Sequence, residues 1–153
     1  MLFRSAGGVP AGLNGLLDAK LVNGINYFLD FTKFDDALRR ANLVITGEGQ
    51  IDEQTLHGKG PFGVALRAKG KKLPVAGLAG KILARKDSEL WNYFDVLVPI
   101  SGENMKLETA LRQTAKNLQR EARRLGDHLQ RGCDAQAWNI TETLRVWKLL
   151  SVK

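Results

Sequence analysis

The stretch LVITGEGQIDEQTLHGKGPFGV, residues 43–64, decides the fold. It opens on a compact apolar run, residues 43–45, which is typical of a buried strand. A polar segment with four glycines, residues 46–60, follows and is predicted to be a loop. Pro61 then suits the first turn of a helix, because proline lacks an amide hydrogen that the first turn leaves unbonded in any case. The stretch therefore predicts a strand, a loop and a helix, which is a unit of a parallel sheet.

The same alternation continues on both sides of this stretch. Two short helices are expected over residues 10–18 and 24–40, from apolar residues at helical spacing. Downstream, the sequence predicts a strand over 75–79 closed by Gly80, a polar helix around 87–93 and a strand over 96–98. Strands that alternate with helices require crossover connections, so the expected class is α/β with a parallel sheet and flanking helices.

The last third of the chain contains the longest periodic pattern. Residues 106–129 contain no glycine before Gly126 and predict one long amphipathic helix. Its expected core-facing stripe comprises Leu107, Leu111, Ala115, Leu118, Ala122 and Leu125. Residues 131–134 are expected to break this helix. The remainder, with Trp138 and Trp147, is interpreted as an appendage with a short helix over 141–150.

Composition excludes several classes of protein. The 153 residues are 44% hydrophobic and 25% charged, which suits one globular domain. No apolar run approaches the roughly 20 residues of a membrane helix, and the N-terminus lacks the apolar core of a secretory signal. We therefore expect a cytoplasmic protein with no membrane partner. A single cysteine, Cys133, and two distant histidines, His57 and His128, argue against a disulfide or a paired-histidine metal site.

The net charge of +7 raises a polyanion as an alternative partner. Most of the excess lies in residues 104–153, which carry ten basic and five acidic residues. The basic positions of the predicted helix are Lys106, Arg112, Lys116, Arg120, Arg123 and Arg124. A noncatalytic module that binds nucleic acid through them is the alternative function. The sequence disfavours it, because no aromatic residues interleave with these charges to stack on bases.

Segment 46–60 contains the residues that could bind a ligand or take part in catalysis. Glycines let backbone amides approach a ligand closely, Glu48 and Asp52 could hold Mg²⁺ or act as a base, and Lys59 beside a helix start favours phosphate. The segment is not a Walker A loop, because Gly60 stands where serine or threonine is required. Composition alone leaves open a polar loop in which Asp52 and Thr55 only form turns and caps.

Residues 42–63 closely resemble the signature of the bacterial two-domain glycerate kinases, a strand followed by TGEG, Asp, Gln-Thr, Gly-Lys, Pro and Gly-Val. The resemblance extends to the upstream segment SAGGVPAGLNGLLDAKLVNGI and to the downstream PVAGLAG and YFDVL. It covers about residues 6–129. Pro10 stands where the family commonly has glycine.

The resemblance implies a Rossmann-like sheet and a division of the chain into three parts. Residues 1–40 would be a helical segment from the family's second, inserted domain or a crossover. Residues 41–129 would form the Rossmann-like β/α portion with its active-site loop 46–60, and residues 130–153 a tail foreign to the family. Because the family's enzymes are more than twice as long, the chain is expected to be a C-terminal fragment of a two-domain kinase.

The activity that the resemblance implies is ATP-dependent phosphorylation of a hydroxyl of D-glycerate, with ATP and Mg²⁺ as cofactors. On that basis Asp52 would activate the attacking hydroxyl, Lys59 would meet a phosphate or the glycerate carboxylate, and Glu48 would meet the metal or a substrate hydroxyl. No separate metal site is assigned. The expected substrate- and phosphate-binding residues are Thr46, Gly47, Gly49, Gln54, Thr55 and Gly58. His57 is interpreted as a solvated loop residue, and Gly80 and Lys81 as a turn and a surface charge.

Two expectations concern the isolated chain. With most of one cleft wall absent, we expect no measurable glycerate kinase activity from it. An uncovered strand around residues 43–45 is expected to promote self-association.

Overall fold

The computed structural model describes residues 7–134. Three strands form one parallel sheet in the order β1-β2-β3, with β1 at Val44–Ile51, β2 at Val75–Ile82 and β3 at Val96–Pro99. The expected α/β class with a parallel sheet is confirmed. The predicted helix over 141–150 lies outside the described residues.

Helices precede, connect and follow the strands. They are α1 (Val9–Leu17), α2 (Gly24–Phe31), α3 (Phe34–Leu38), α4 (Gly60–Gly70), α5 (Leu107–Arg112) and α6 (Thr114–Asp134). Two short 3₁₀ helices, Glu53–His57 and Glu89–Asn92, lie in the connections. The second replaces the predicted polar helix around 87–93. It is only one turn long, because Ser88 caps it and the chain turns into β3 directly after Tyr93.

Strand β1 is longer than predicted and contains most of the glycine-rich signature. The expectation of a loop from Thr46 onward is wrong, since pairing with β2 continues to Ile51. Thr46 pairs with Gly77, and Gly47 pairs with Leu78. A Cβ at Gly47 would overlap the Leu78 carbonyl oxygen. Glycine is therefore needed here for close backbone approach within the sheet.

Apolar side chains cover the sheet on both faces. One cluster joins Val44, Ile51 and Val75 to α3 and α4. The other joins Ala76 and Val96, among others, to Leu125 of α6. Because α4 and α6 lie on opposite faces, the carboxyl ends of the strands remain accessible at one edge.

The predicted helix 106–129 is two helices, and five of the six members of its expected stripe are exposed. Gln113 interrupts it, and α6 continues to Asp134, past the break expected at 131–134. The buried residues of α6 within 114–130 are Asn117, Glu121 and Leu125, which recur every four residues. Leu125 is the one member of the predicted stripe among them. The exposed members are Leu107, Leu111, Ala115, Leu118 and Ala122.

Buried Glu121 explains why a polar face of α6 can lie against the sheet. Its carboxylate accepts from Arg120 at 2.8 Å and from Arg124 at 3.1 Å. Arg120 also donates to the Ile100 carbonyl oxygen at the end of β3. A buried carboxylate is tolerated when it is paired and hydrogen-bonded, and here the pairing fixes the helix to the sheet end.

Arg67 of α4 attaches the N-terminal helices to the sheet domain. It donates to Asp30 of α2 and to Asp35, both at 2.6 Å. Ile25 packs against Gly63, where a Cβ would lie 2.5 Å from the Ile25 side chain. Helix α1, in contrast, has no buried residue.

Candidate active site

The segment after β1 turns back beneath the strand through a capping box. Asp52 is the N-cap of the 3₁₀ helix Glu53–His57, and its Oδ1 accepts the backbone N–H of Gln54 at 3.0 Å. Thr55 completes the box, since its Oγ1 accepts the backbone N–H of Asp52 at 3.2 Å. This reciprocal arrangement fixes the direction of the Asp52 carboxylate. Asp52 and Thr55 are therefore capping residues in the structure, as the alternative left open by the sequence proposed.

Thr55 also holds Glu48. The hydroxyl donates to Glu48 Oε1 at 2.7 Å, and the threonine is 0% exposed. Because the hydroxyl is already engaged with Asp52 and Glu48, Thr55 can influence a ligand only through these two residues. The role assigned to it from the sequence, direct orientation of substrate, does not fit this position.

Lys59 lies between the two carboxylates. Its Nζ is 3.7 Å from Glu48 Oε2 and 3.7 Å from Asp52 Oδ1. Lys59 is also the N-cap residue of α4, with Pro61 in the first turn. A helix N-terminus carries partial positive charge, so the ammonium and the helix start together form a cationic point beside two carboxylates.

The surroundings of Asp52 keep its carboxyl ionised. The side-chain amide of Gln50, which donates to Oδ2 at 2.6 Å, is the main cause that lowers the pKa of Asp52 below its ordinary value. Desolvation opposes this shift, while the charge of Lys59 and the Gln54 amide add to it. The side chain is therefore an anionic acceptor at neutral pH.

The other residues assigned from the sequence lie around this cluster. Thr46, Gly47 and Gly49 belong to β1. Gln54 is exposed, and Gly58 ends the 3₁₀ helix with a φ of 93°, which favours glycine. His57 is exposed, as expected for a solvated residue.

A long groove is lined by residues 45–50 of β1 and shares Glu48 with the cluster. It has a volume of about 1310 Å³ and runs from the strand ends to α5 and the start of α6. Lys81 and Ser101 line it near the strand ends, and Leu107 and Leu111 line its far wall. Sequence reasoning missed the groove, because helical periodicity places these leucines in the core. The rule that ligands bind beyond the carboxyl ends of parallel strands points to this edge of the sheet through residues 46–59, but it does not reveal the groove beside them.

Glu48 and Asp52 are the carboxylates of this cluster that could contribute to a magnesium site. Magnesium in phosphoryl-transfer sites is usually held by one or two carboxylates together with substrate phosphates. The Lys59 ammonium lies between these two carboxylates in this structure, so a metal ion bound by both would require Lys59 to move. Within residues 7–130, whose side chains the structure describes, no group of three or more histidine, cysteine or acidic residues could bind a metal unaided.

The basic positions of α5 and α6 give no support to the polyanion alternative. Arg120 and Arg124 pair with buried Glu121 and so belong to the packing of α6. Across the described part of the chain, no helix has the length and apolarity to cross a membrane.

Comparisons with known proteins agree with the sequence resemblance. A model of the glycerate kinase family matches residues 4–130. The chain is 38% identical to a glycerate kinase of Halalkalibacterium halodurans over 121 residues, which are 79% of this chain and 32% of that protein. It is 40% identical to a glycerate kinase of Bacillus subtilis over 119 residues, 78% of this chain and 31% of that protein.

A solved structure shows the same fold. The crystal structure assigned as glycerate kinase 2 from Salmonella typhimurium LT2 superposes with a TM-score of 0.62 at 37% identity, covering 84% of this chain and 33% of that chain. The chain thus spans about a third of the length of the relatives it matches.

Proposed function

The chain belongs to the glycerate kinase family, and from that premise we propose that it carries the phosphoryl-transfer loop of an ATP-dependent D-glycerate kinase. The observation that carries the proposal is the placement of Lys59 between Glu48 and Asp52 beside the end of β1. A cation held between two oriented carboxylates suits a reaction that consists mostly of positioning and charge neutralisation.

Asp52 is proposed to orient the attacking hydroxyl of glycerate. Its lowered pKa makes it a hydrogen-bond acceptor that stays charged. In a loose phosphoryl-transfer transition state the nucleophile loses its proton late, so orientation matters more than basicity. The capping box supports this role, because it holds Oδ1 in one direction.

Lys59 is proposed to neutralise charge on the transferred phosphoryl group or on the glycerate carboxylate. Its two contacts at 3.7 Å are longer than direct hydrogen bonds, so the ammonium can turn toward an incoming anion. The amides of Gly47, Gly49 and Gly58 are proposed to assist it. Gln54 and Thr46 are proposed to contact substrate.

Glu48 is proposed to face the donor phosphates. Its carboxylate would contribute to holding Mg²⁺, which supplies charge neutralisation on the nucleotide when bound. Thr55 fixes the Glu48 carboxylate from beneath. Its hydroxyl therefore acts on the site as a positioning group.

A chimera of this chain with a longer relative tests the proposal. Residues 42–130 would replace the matching segment of the Bacillus subtilis glycerate kinase, and glycerate-dependent ADP release would be measured. We expect turnover in the chimera and a loss of at least about 100-fold in Asp52→Asn and Lys59→Met. Asp127→Asn and Lys116→Met, which lie on α6, are matched controls that should keep full activity.

Two outcomes contradict different parts of the proposal. A folded chimera that releases no ADP with glycerate would contradict the function. Full activity in Asp52→Asn or Lys59→Met would leave the function standing and refute the assigned role. The isolated 153-residue chain is expected to show no turnover in the same assay.

A further inference from the structure

Strand β1 lies at an edge of the sheet, and within residues 7–134 no strand pairs with its outer side. The amide of Val44 donates to the Pro74 carbonyl oxygen at 2.9 Å, so the backbone groups of Val44 point toward β2. Along a strand, the backbone groups of successive residues point to opposite sides in the plane of the sheet. The N–H and C=O groups of Ile45 and Gly47 therefore point outward, away from β2.

The two edges of the sheet differ in how they are protected. Strand β3, the other edge, is four residues long, ends in Pro99 and buries Val96 and Val98. Strand β1 is eight residues long and contains neither proline nor lysine. Because short length, proline and lysine are the features that keep an edge from pairing with another strand, β1 is the edge that can accept one.

The sheet face beside this edge is also incomplete. Ile45 lies opposite Ala76 in the register of β1 and β2, so both side chains point to the face that α6 covers. Ala76 is 0% exposed, whereas Ile45 is 56% exposed. The cover that α6 provides therefore ends between β2 and β1. Since parallel sheets are normally covered on both faces, a further helix is expected to lie beside α6 over Ile45.

The relatives contain enough additional chain to supply both a strand and a helix. The matched segment is 32% of the Halalkalibacterium halodurans protein and 31% of the Bacillus subtilis protein. About two thirds of each relative therefore has no counterpart here. A small ligand cannot pair with backbone groups that recur along an extended edge, whereas an added strand pairs with them by its own backbone. These observations favour polypeptide as the occupant of this edge.

We propose that the outer edge of β1 receives a strand, and the face over Ile45 a helix, from the part of a glycerate kinase that this chain does not contain. The inference rests on membership of the family and is independent of the proposed activity. It assigns the backbone of Ile45 and Gly47 to pairing with the added strand.

Hydrogen exchange resolved to single amides by mass spectrometry tests the pairing. The 153-residue chain would be co-expressed with a Bacillus subtilis glycerate kinase that lacks the 119 matched residues, and the complex isolated through a tag on that partner. We expect the amides of Ile45 and Gly47 to exchange at least about 100-fold more slowly in the complex than in the isolated, monomeric chain. The amides of Thr46 and Glu48, which point to β2, should be protected in both.

The chimera that contains residues 42–130 allows the same measurement where the truncated kinase does not fold by itself. There the remaining two thirds of the kinase belongs to the same chain. Protection of Ile45 and Gly47 in the chimera supports the inference in either case. Free exchange of these two amides in a folded chimera would contradict it.

Two substitutions of Ile45 separate the backbone from the side chain. Ile45→Pro removes the outward N–H and leaves the bonds to β2 in place, because proline is tolerated at an edge whose N–H faces outward. It should weaken the complex by at least about tenfold. Ile45→Lys keeps the amide but places a charge beneath the added helix, and should weaken the complex similarly.

Leu66→Lys is the matched control. It makes a corresponding change at an exposed leucine of α4, on the opposite face of the sheet, and should leave the affinity unchanged. The thermal unfolding midpoint of each isolated variant should stay close to that of the parent chain, because Ile45 and Leu66 are both exposed.

Three results would overturn the inference. They are unprotected Ile45 and Gly47 amides in a folded chimera, a complex that Ile45→Pro binds as tightly as the parent chain does, and conversion of a dimer of the isolated chain to a monomer by Ile45→Pro. The last result would identify a second copy as the occupant. None of them contradicts the proposed function, which the release of ADP tests separately. Conversely, protected amides in an inactive chimera would retain the docking edge and remove the glycerate kinase activity.

Discussion

At the scale of single residues, Asp52 performs two tasks with one carboxylate. Its Oδ1 caps the 3₁₀ helix and faces Lys59, while Oδ2 accepts from Gln50. The sequence leaves a capping role and a chemical role as alternatives for this residue. The geometry makes them compatible, because the cap fixes the carboxylate in the direction that Lys59 requires.

We predict that Gln50 controls the ionisation of Asp52. Replacing it in Gln50→Met removes the side-chain donor that contributes most to the shift, so the pKa of Asp52 should rise toward its ordinary value of 3.8. A carbon-13 titration of the side-chain carboxyl measures the change. Gln119→Met on the exposed surface of α6 is the control and should leave Asp52 unaffected.

The same shift has a signed effect on stability. Because the folded-state pKa is lowered, Asp52 adds to the free energy of unfolding above its ordinary pKa, and this contribution is lost as pH falls through the lowered value. Acid unfolding of Asp52→Asn should therefore be less steep below about pH 4 than that of Asp127→Asn. Equal pH dependence in the two variants would contradict the assigned environment.

Thr55 shows the limit of assigning roles from residue type. A threonine in a glycine-rich segment suggests contact with substrate, and the sequence contains no indication that it would be fully buried. Its burial depends on the turn after Ile51, which returns the chain beneath β1 and places the hydroxyl 2.7 Å from Glu48. Such contacts between residues seven positions apart require the turn geometry, which the sequence pattern does not supply.

At the scale of elements, the sequence predicts the order of strands and helices but misplaces the end of β1. Glycines at 47 and 49 favour a loop, because glycine is disfavoured in strand interiors. Pairing with β2, which also contains small residues, overrides that preference. The neighbour that makes glycine necessary at 47, the Leu78 carbonyl, is distant in the chain and cannot be inferred from local pattern.

The two glycines of β1 give a matched prediction. Gly47→Ala should lower the free energy of unfolding by about 1–3 kcal/mol, because the new Cβ meets backbone that cannot move without breaking the sheet. Gly49→Ala places the same atom in open space, so its effect should stay within about 1 kcal/mol. Urea unfolding of both variants checks this, and a smaller loss at Gly47 than at Gly49 would contradict the pairing of Gly47 with Leu78.

Helix α6 illustrates a failure of periodicity alone. The leucine stripe has the correct spacing for a core face, yet the buried face carries Asn117 and Glu121. The arginine contacts of Glu121 and the Ile100 carbonyl make that face viable. Hydropathy alone predicts that a charged residue such as Glu121 is exposed, because it contains no information about the arginines that pair with it.

At the scale of the whole molecule, large apolar side chains remain uncovered on the N-terminal helices. We define the helical apolar surface as Leu16, Leu17, Tyr27, Phe28 and Phe31, all of which are exposed. Tyr27 and Phe31 stack with ring centroids 6.3 Å apart. Large exposed apolar side chains that form a patch often mark interaction sites. The division of the chain into three parts, with boundaries expected after residues 40 and 129, stays a prediction.

We predict that the chain self-associates through the helical apolar surface. Phe31→Lys should weaken association by at least about tenfold, measured by light scattering after size-exclusion chromatography across a concentration series. Thr109→Lys adds the same charge at an exposed polar position and serves as the control. If Ile45→Lys dissociates the complex and Phe31→Lys does not, the edge strand expected from the sequence is the contact instead.

The double contact of Arg67 has a consequence for how this fold can vary through evolution. One guanidinium serves carboxylates on two segments, at Asp30 and Asp35. Loss of the arginine would therefore release both acidic positions from selection in one step, whereas loss of either aspartate would leave the arginine still constrained by the other. We therefore expect substitutions at this junction to be asymmetric, because either aspartate can change while the arginine keeps one partner.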